Sequence, residues 1–216
     1  MIRYTILILL TSFTIHANSQ IPVEVLAGHE KTTLDIMFFK YFKNNQNENS
    51  KFLFFNRNRA SIDYDQTETN NLPQFGFTEA ISFNHSSLKG LAPVMVVQIL
   101  NRGVFLKAGI QYVLIRKDIT IFCWAVIEAS AKPFIDLFLL IRYTPKLTDR
   151  LNLFTQLESF NSLRTSDNAS NSFVQRFRLG LKLKEWQFGI GGDFSQSGIA
   201  TYTFNSNLGP FIRHEF

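Results

Sequence analysis

The residue types best suited to covalent chemistry sit in one run, Asn84-His85-Ser86-Ser87. An imidazole beside a hydroxyl can turn serine into a nucleophile, because the ring accepts the proton as the oxygen attacks. On an extended chain His85 and Ser87 share a face, and by parity it is the apolar face of Ile81 and Phe83. Glu79 shares that face, but six residues of strand cover roughly 20 Å, far beyond hydrogen-bond reach. Pairing 51–64 antiparallel with 75–87 predicts Asn56 opposite Phe83 and diagonal to His85, about 7–8 Å apart at Cα. The catalytic expectation is therefore Ser87 as nucleophile, His85 as base and Asn56 as orienter. Two other readings compete with it. A His-x-Ser pair is also an ordinary polar strand end. Alternatively Asn56, Asn58, Glu79 and His85 form a polar cluster on an apolar wall; such clusters are costly in lipid and mark protein contacts. That reading predicts a second copy or a protein partner at these two strands.

A second set of chemically capable residues is spread along the chain. Arg57, Arg59, Lys107, Arg142, Arg176, Arg178 and Lys182 fall on the non-aliphatic face of their segments, and so do Asp35, Asp63, Glu128, Asp136, Glu158 and Asp193. If that face lines a narrow lumen, the charges have two possible roles. They can pair and plug the space, since charges in low dielectric need partners. Or they can line a selective pore, with an anion-leaning eyelet at Arg176, Arg178 and Lys182. The plug is the preferred of the two. His29, His85 and His214 lack metal-ligand spacing and no phosphate-binding loop is present, so neither a metal nor a cofactor is expected.

The elements that must position these residues follow from the period. In 173–183, Phe173, Phe177, Leu179, Leu181 and Leu183 alternate with Val174, Arg176, Arg178, Gly180 and Lys182. In 104–114, Val104, Leu106, Ile110 and Leu114 alternate with Phe105, Lys107 and Gln111. The period is two, that of a strand, and it recurs at 33–43, 51–64, 75–87, 91–101, 119–129, 135–143, 151–161 and 186–195. The last residues, "NSNLGPFIRHEF", alternate too: Phe204, Leu208, Ile212 and Phe216 oppose Asn205, Asn207, Arg213 and Glu215. Turn-rich pieces such as "KNNQNENS", "DQTETNNLPQ" and "RTSDNASN" separate the segments, which makes an all-β meander.

The amino terminus reads as a secretory signal peptide over residues 1–19: Arg3, the apolar "TILILLTSFTI", then small residues Ala17 and Ser19 before a cut at Gln20. Residues 20–216 then form one domain. Cys123 is the only cysteine, so no intrachain disulfide supports the fold. The formal charge of +5 is dispersed, without the patch that nucleic acid requires. Phenylalanine is abundant at 23 residues, yet no apolar run after the signal peptide is long enough for a membrane helix. A soluble sandwich would fit the alternation, but its strands usually run 5–6 residues. A tilted membrane strand needs about 9–11.

On the signal peptide, the strand period and the terminal "FIRHEF", the chain resembles the small outer-membrane β-barrels of Gram-negative bacteria, in the style of Bacteroidota barrels of unassigned function. The resemblance implies a transmembrane antiparallel up-and-down barrel surrounded by outer-membrane lipid. It also implies that Phe216 is an assembly signal read by the barrel-assembly machinery, and that both termini are periplasmic. An even-stranded barrel then needs a strand at 22–28 before that at 33–43, giving twelve strands, with ten as the alternative. Function is expected to be passive: a structural barrel, a narrow channel or a ligand-holding barrel. Locally, Asn84-His85-Ser86-Ser87 also resembles the Asn-His-x-Ser run of outer-membrane phospholipase A, which implies a lipid hydrolase as the alternative. Leu88-Lys89-Gly90 departs from that family's continuing Asn-Gly-Arg.

Overall fold

Every expected alternating segment is a strand in the computed structural model, which describes residues 21–65, 74–166 and 169–216. The signal-peptide assignment lies outside the described residues. In chain order the strands are β1 (Pro22–Ala27), β2 (Lys31–Lys43), β3 (Asn49–Asp63), β4 (Gln74–Phe83), β5 (Leu91–Leu100) and β6 (Gly103–Ile115). They continue as β7 (Ile119–Glu128), β8 (Phe134–Tyr143), β9 (Leu151–Arg164), β10 (Asn171–Leu183), β11 (Trp186–Gly198) and β12 (Tyr202–Glu215). Each pairs antiparallel with its chain neighbours, and β12 returns to β1, so the twelve strands close into a barrel. The connections alternate between ends. One end carries both described termini, the 144–150 loop and the Lys184-Glu185 turn; the other carries 28–30, the facing ends of β9 and β10, and 199–201.

The burial pattern is inverted relative to a soluble protein. Met95, Val104 and Ile190 are 71%, 65% and 59% exposed, whereas Asp136, Glu158 and Lys107 are 0%, 2% and 3% exposed. Most aliphatic residues point outward and most charged ones point into the lumen; Glu79, on the parity of the exposed Phe77 and Ile81, is an exception. Soluble monomers rarely expose contiguous apolar patches beyond a few hundred Å², and here the apolar face runs around the whole wall. Hydrocarbon is the solvent that suits it.

The lumen is filled by two kinds of packing. Phe55, Phe122, Trp124 and Phe138 form a buried aromatic cluster with Met37, Val96 and Leu140, and Phe39 and Phe160 pack against it. The rings of Phe55 and Phe122 stack with centroids 5.2 Å apart, while Trp124 meets Phe55 edge-on at 5.2 Å. A smaller cluster joins Leu26, Phe154 and Phe211. The remaining lumen is ionic, and glycine makes room for it. Gly191 stands opposite Arg178 on the neighbouring strand, and a Cβ there would lie 2.6 Å from the Arg178 side chain.

One boundary departs from expectation. β4 stops at Phe83, and Ser86–Leu88 form a single 3₁₀ turn with His85 as its N-cap. The imidazole accepts the backbone N–H of Ser87, which offers the chain a local alternative to the strand ladder.

Candidate functional site

The lumen charges assemble into a connected network. Arg57 on β3 donates through Nε to Asp35 on β2 at 3.2 Å, and through Nη1 to Glu158 on β9 at 2.7 Å. β3 and β9 are six strands apart in a ring of twelve, so this contact crosses the full width of the barrel. Arg59 holds Asp35 at 2.8 Å and also Asp193. Arg178 joins Asp193 at 3.0 Å to Glu24 at 2.7 Å. Arg176 reaches Glu158 at 3.4 Å. Toward the terminus-bearing end, Arg142 and Arg213 both donate to Gln156, at 2.8 and 3.2 Å, and Lys182 pairs with Glu215. On the aromatic side Lys107 pairs with Asp136, which also accepts from the Ser162 hydroxyl at 2.7 Å.

Of the thirteen charged residues expected on the lumen face, Arg57, Arg59, Lys107, Asp136, Arg142, Arg176, Arg178, Lys182 and Asp193 engage partners inside the barrel, as do Asp35 and Glu158. Asp63 meets Lys31 at 4.0 Å, and Glu128 Oε2 has no hydrogen-bond partner among the described residues. The eyelet is different from the expectation. Arg176, Arg178 and Lys182 lie along one strand over roughly 20 Å, each beside its own carboxylate, and do not ring one level. Glu24, with partners in Arg178 and Arg213, was not singled out from the sequence; its β1 parity with Leu26 is the signal that could have found it. The aromatic plug was missed as well. Its members share the polar parity of their strands, which charge alone does not flag.

Above the Arg57 crossbar, toward the end away from the described termini, the lumen opens into a cavity of about 320 Å³. Arg57, Arg59, Arg102, Lys107 and Arg176 line it together with Phe55, Trp124, Phe134, Phe138 and Phe160. Thr78, Gln98 and Ser172 add neutral polar groups, and Asp136 is the one carboxylate among the described lining residues. A second hollow of about 300 Å³ adjoins it, sharing Arg59, Gly76, Leu100 and Arg176.

The serine–histidine pair does not become a triad. Ser87 Oγ lies 2.5 Å from His85 Nδ1, but the pair sits in the 3₁₀ turn at the terminus-bearing end. Asn56 is not diagonal to His85. The register places Phe52 opposite Phe83 and Asn56 opposite Glu79, to whose carboxylate Asn56 Nδ2 donates. The expected register is off by four residues because β4 starts its pairing with Gln74 opposite Ser61 and Phe75 opposite Ala60, where the expectation had Phe75 opposite Tyr64. Asn56 and His85 are consequently separated by about six residues of strand, roughly 20 Å. Among the described residues no group of three or more His, Cys, Asp or Glu side chains is arranged to hold a metal.

By sequence, the chain matches no family model and no curated protein. Its fold matches solved barrels. The NanC porin superposes with a TM-score of 0.50 at 9% identity, over 92% of this chain and 98% of that one. The KdgM porin gives 0.46 at 10% identity, over 91% and 99%. The β domain of the Bordetella autotransporter BrkA gives 0.38 at 6% identity, over 93% and 100%. At such identities the likeness is one of fold, and the chain has the closed, twelve-stranded, all-antiparallel architecture of porin-like outer-membrane barrels.

Proposed function

We propose that this protein is an outer-membrane barrel that handles a small anionic solute without catalysis, holding it in the cavity above a lumen that is closed at rest. The supporting observation is the Arg57–Glu158 contact between strands on opposite walls, both side chains nearly excluded from solvent. A water-filled channel has no need of side chains meeting across its diameter, and two charges there would be solvated separately. With the termini in the periplasm, as the resemblance implies, the cavity faces the cell exterior and its cations meet arriving anions first. Planar-bilayer recording tests the reading. The native barrel is expected to be silent or to show only small steps, and replacing Arg57 and Glu158 together by alanine to raise the conductance. Steady, porin-sized currents through the native barrel would refute the closed lumen.

A second reading concerns the outer wall. Asn56 and Glu79 form their hydrogen bond on the apolar face, and Asn56 Oδ1, Asn58 Oδ1 and Glu79 Oε2 have no donor among the described residues. Buried acceptors in hydrocarbon favour a partner that supplies donors, whether a second copy or another membrane protein. Cysteine at position 58 in a Cys123→Ser background should crosslink in membranes if that partner is a second copy. A barrel that remains monomeric under oxidation would remove the dimer. His85 does not belong to this patch, because it lies in the turn.

A further inference from the structure

Two donors at the cavity are left without acceptors. Trp124 Nε1 and Arg176 Nε are buried atoms with no hydrogen-bond partner among the described residues, and both side chains line the same 320 Å³ space. Trp124 is 5% exposed. Indole and guanidinium nitrogens can only donate, so what they require from the cavity is an acceptor. The carboxylates that meet the lining cations are already engaged: Asp35 by Arg57 and Arg59, Glu158 by Arg57 and Arg176, Asp136 by Lys107 and Ser162. Glu128, whose Oε2 has no hydrogen-bond partner among the described residues, is not part of the described lining. Because those pairs cancel most of the cationic charge, one added negative charge suits the space better than two or three.

The side of the wall built by β7, β8 and β9 decides what carries that charge, while the polar Thr78, Gln98 and Ser172 come from β4, β5 and β10. Trp124 packs against Phe138 with centroids 5.1 Å apart, and Phe134 and Phe160 complete an aromatic lining that offers no hydrogen bonds. Hydroxyl groups pressed against this wall would lose water without compensation. A flat ring would gain offset or edge contacts. The volume, at the low end of small-molecule pockets, suits a single-ring ligand.

We propose, resting on the solute-holding reading above, that the cavity binds a small aromatic carboxylate. Its carboxylate oxygens accept from Trp124 Nε1 and Arg176 Nε, and its ring lies against Phe138 and Phe160. The chain has only two tryptophans, Trp124 and Trp186, and Trp186 is exposed at the opposite end of the barrel. In a W186F protein the intrinsic fluorescence therefore reports on Trp124 alone.

Titration of that full-length barrel in detergent micelles with benzoate should give a saturable change in emission, and benzylamine should give none. R176Q should weaken benzoate binding by about tenfold or more, the loss expected for one hydrogen bond to a charged group, while heat-modifiable gel migration is retained. W124F, followed by calorimetry, should weaken it also. The proposal is overturned if benzoate gives no saturable response. It is equally overturned if glucuronate, with its carboxylate on a hydroxylated ring, binds as tightly. A silent bilayer with no benzoate response would remove this ligand and leave the closed barrel. A benzoate response in a freely conducting barrel would do the reverse.

Discussion

Replacing Glu158 by glutamine discriminates between a packed and a wet lumen. Glu158 accepts from Arg57 Nη1 at 2.7 Å, from Gln156 Nε2 at 2.7 Å and from Arg176 Nη1 at 3.4 Å. Its side chain is 3% exposed, and those of Arg57 and Arg176 are 11% and 16% exposed. Removing one member of a buried ion pair costs about 3–5 kcal/mol, because the remaining charge stays desolvated and unpaired. Arg57 keeps Asp35, and glutamine keeps one acceptor oxygen, so the low end, about 3 kcal/mol, is expected for E158Q. A pair in a water-filled lumen would lose only about 0.2–1 kcal/mol. Urea unfolding of the barrel reconstituted in lipid vesicles gives the difference by linear extrapolation. Removing Arg176 as well, as E158Q/R176Q, should restore part of the loss, since the partners are coupled. High salt should leave the native value nearly unchanged, because mobile ions screen only charges they can approach. A loss below about 1 kcal/mol that salt reduces further would refute the packed lumen and with it the closed barrel.

Phe122→Ala empties the centre of the aromatic cluster, where Phe122 is fully buried and lies 4.8 Å from Phe39 and 5.2 Å from Phe55. It should cost about 3–5 kcal/mol in the same unfolding assay, and a change under about 1 kcal/mol would mean that the rings do not pack against one another. Phe216→Ala should lower the yield of heat-modifiable, membrane-inserted barrel, and normal insertion would count against the assembly-signal role. For His85 and Ser87 the expectation is inactivity: purified protein in mixed micelles should release no fatty acid with or without a divalent cation. Release that either His85→Ala or Ser87→Ala abolished would reinstate a hydrolase.

The barrel itself was legible because its cause is local. A wall with lipid outside and a polar lumen inside forces a period of two on each strand, and the turns fall where Asn, Asp, Gly and Ser accumulate. Most strand limits, such as Leu91–Leu100, Gly103–Ile115 and Phe134–Tyr143, lie within a residue or two of the alternating segments. β4 was misread because His85 and Ser87 continue its parity while their side chains satisfy the backbone of a turn instead. Parity also assigned Arg57 and Glu158 to the lumen, but their meeting depends on strand tilt and stagger, which no local pattern encodes. The plug was hidden for another reason. Phenylalanine lies on both faces, with Phe54 outward and Phe55 inward on the same strand, so its abundance says nothing about which rings converge.

The brevity of β1 gives the barrel a seam. β1 meets β12 over five register pairs, from Pro22–Glu215 to Leu26–Phe211, whereas β11 and β12 share thirteen. Ile21 and Phe216 extend the seam by a reciprocal pair of backbone bonds at 3.0 and 3.1 Å. Beyond Leu26, Asn207 takes over as the clasp, its Oδ1 accepting the N–H groups of Glu30 and Lys31. This junction joins residues almost a whole chain apart, so it forms only after the other hairpins have zipped and the entropy of closing the full ring has been met. The two junctions of β1, with β12 and with β2, share the fewest register pairs, five each, so β1 has the least ladder to break on either side. Assembly therefore ends at the seam and disassembly begins at β1, and backbone amides of β1 should exchange with solvent deuterium sooner than those of β10 and β11.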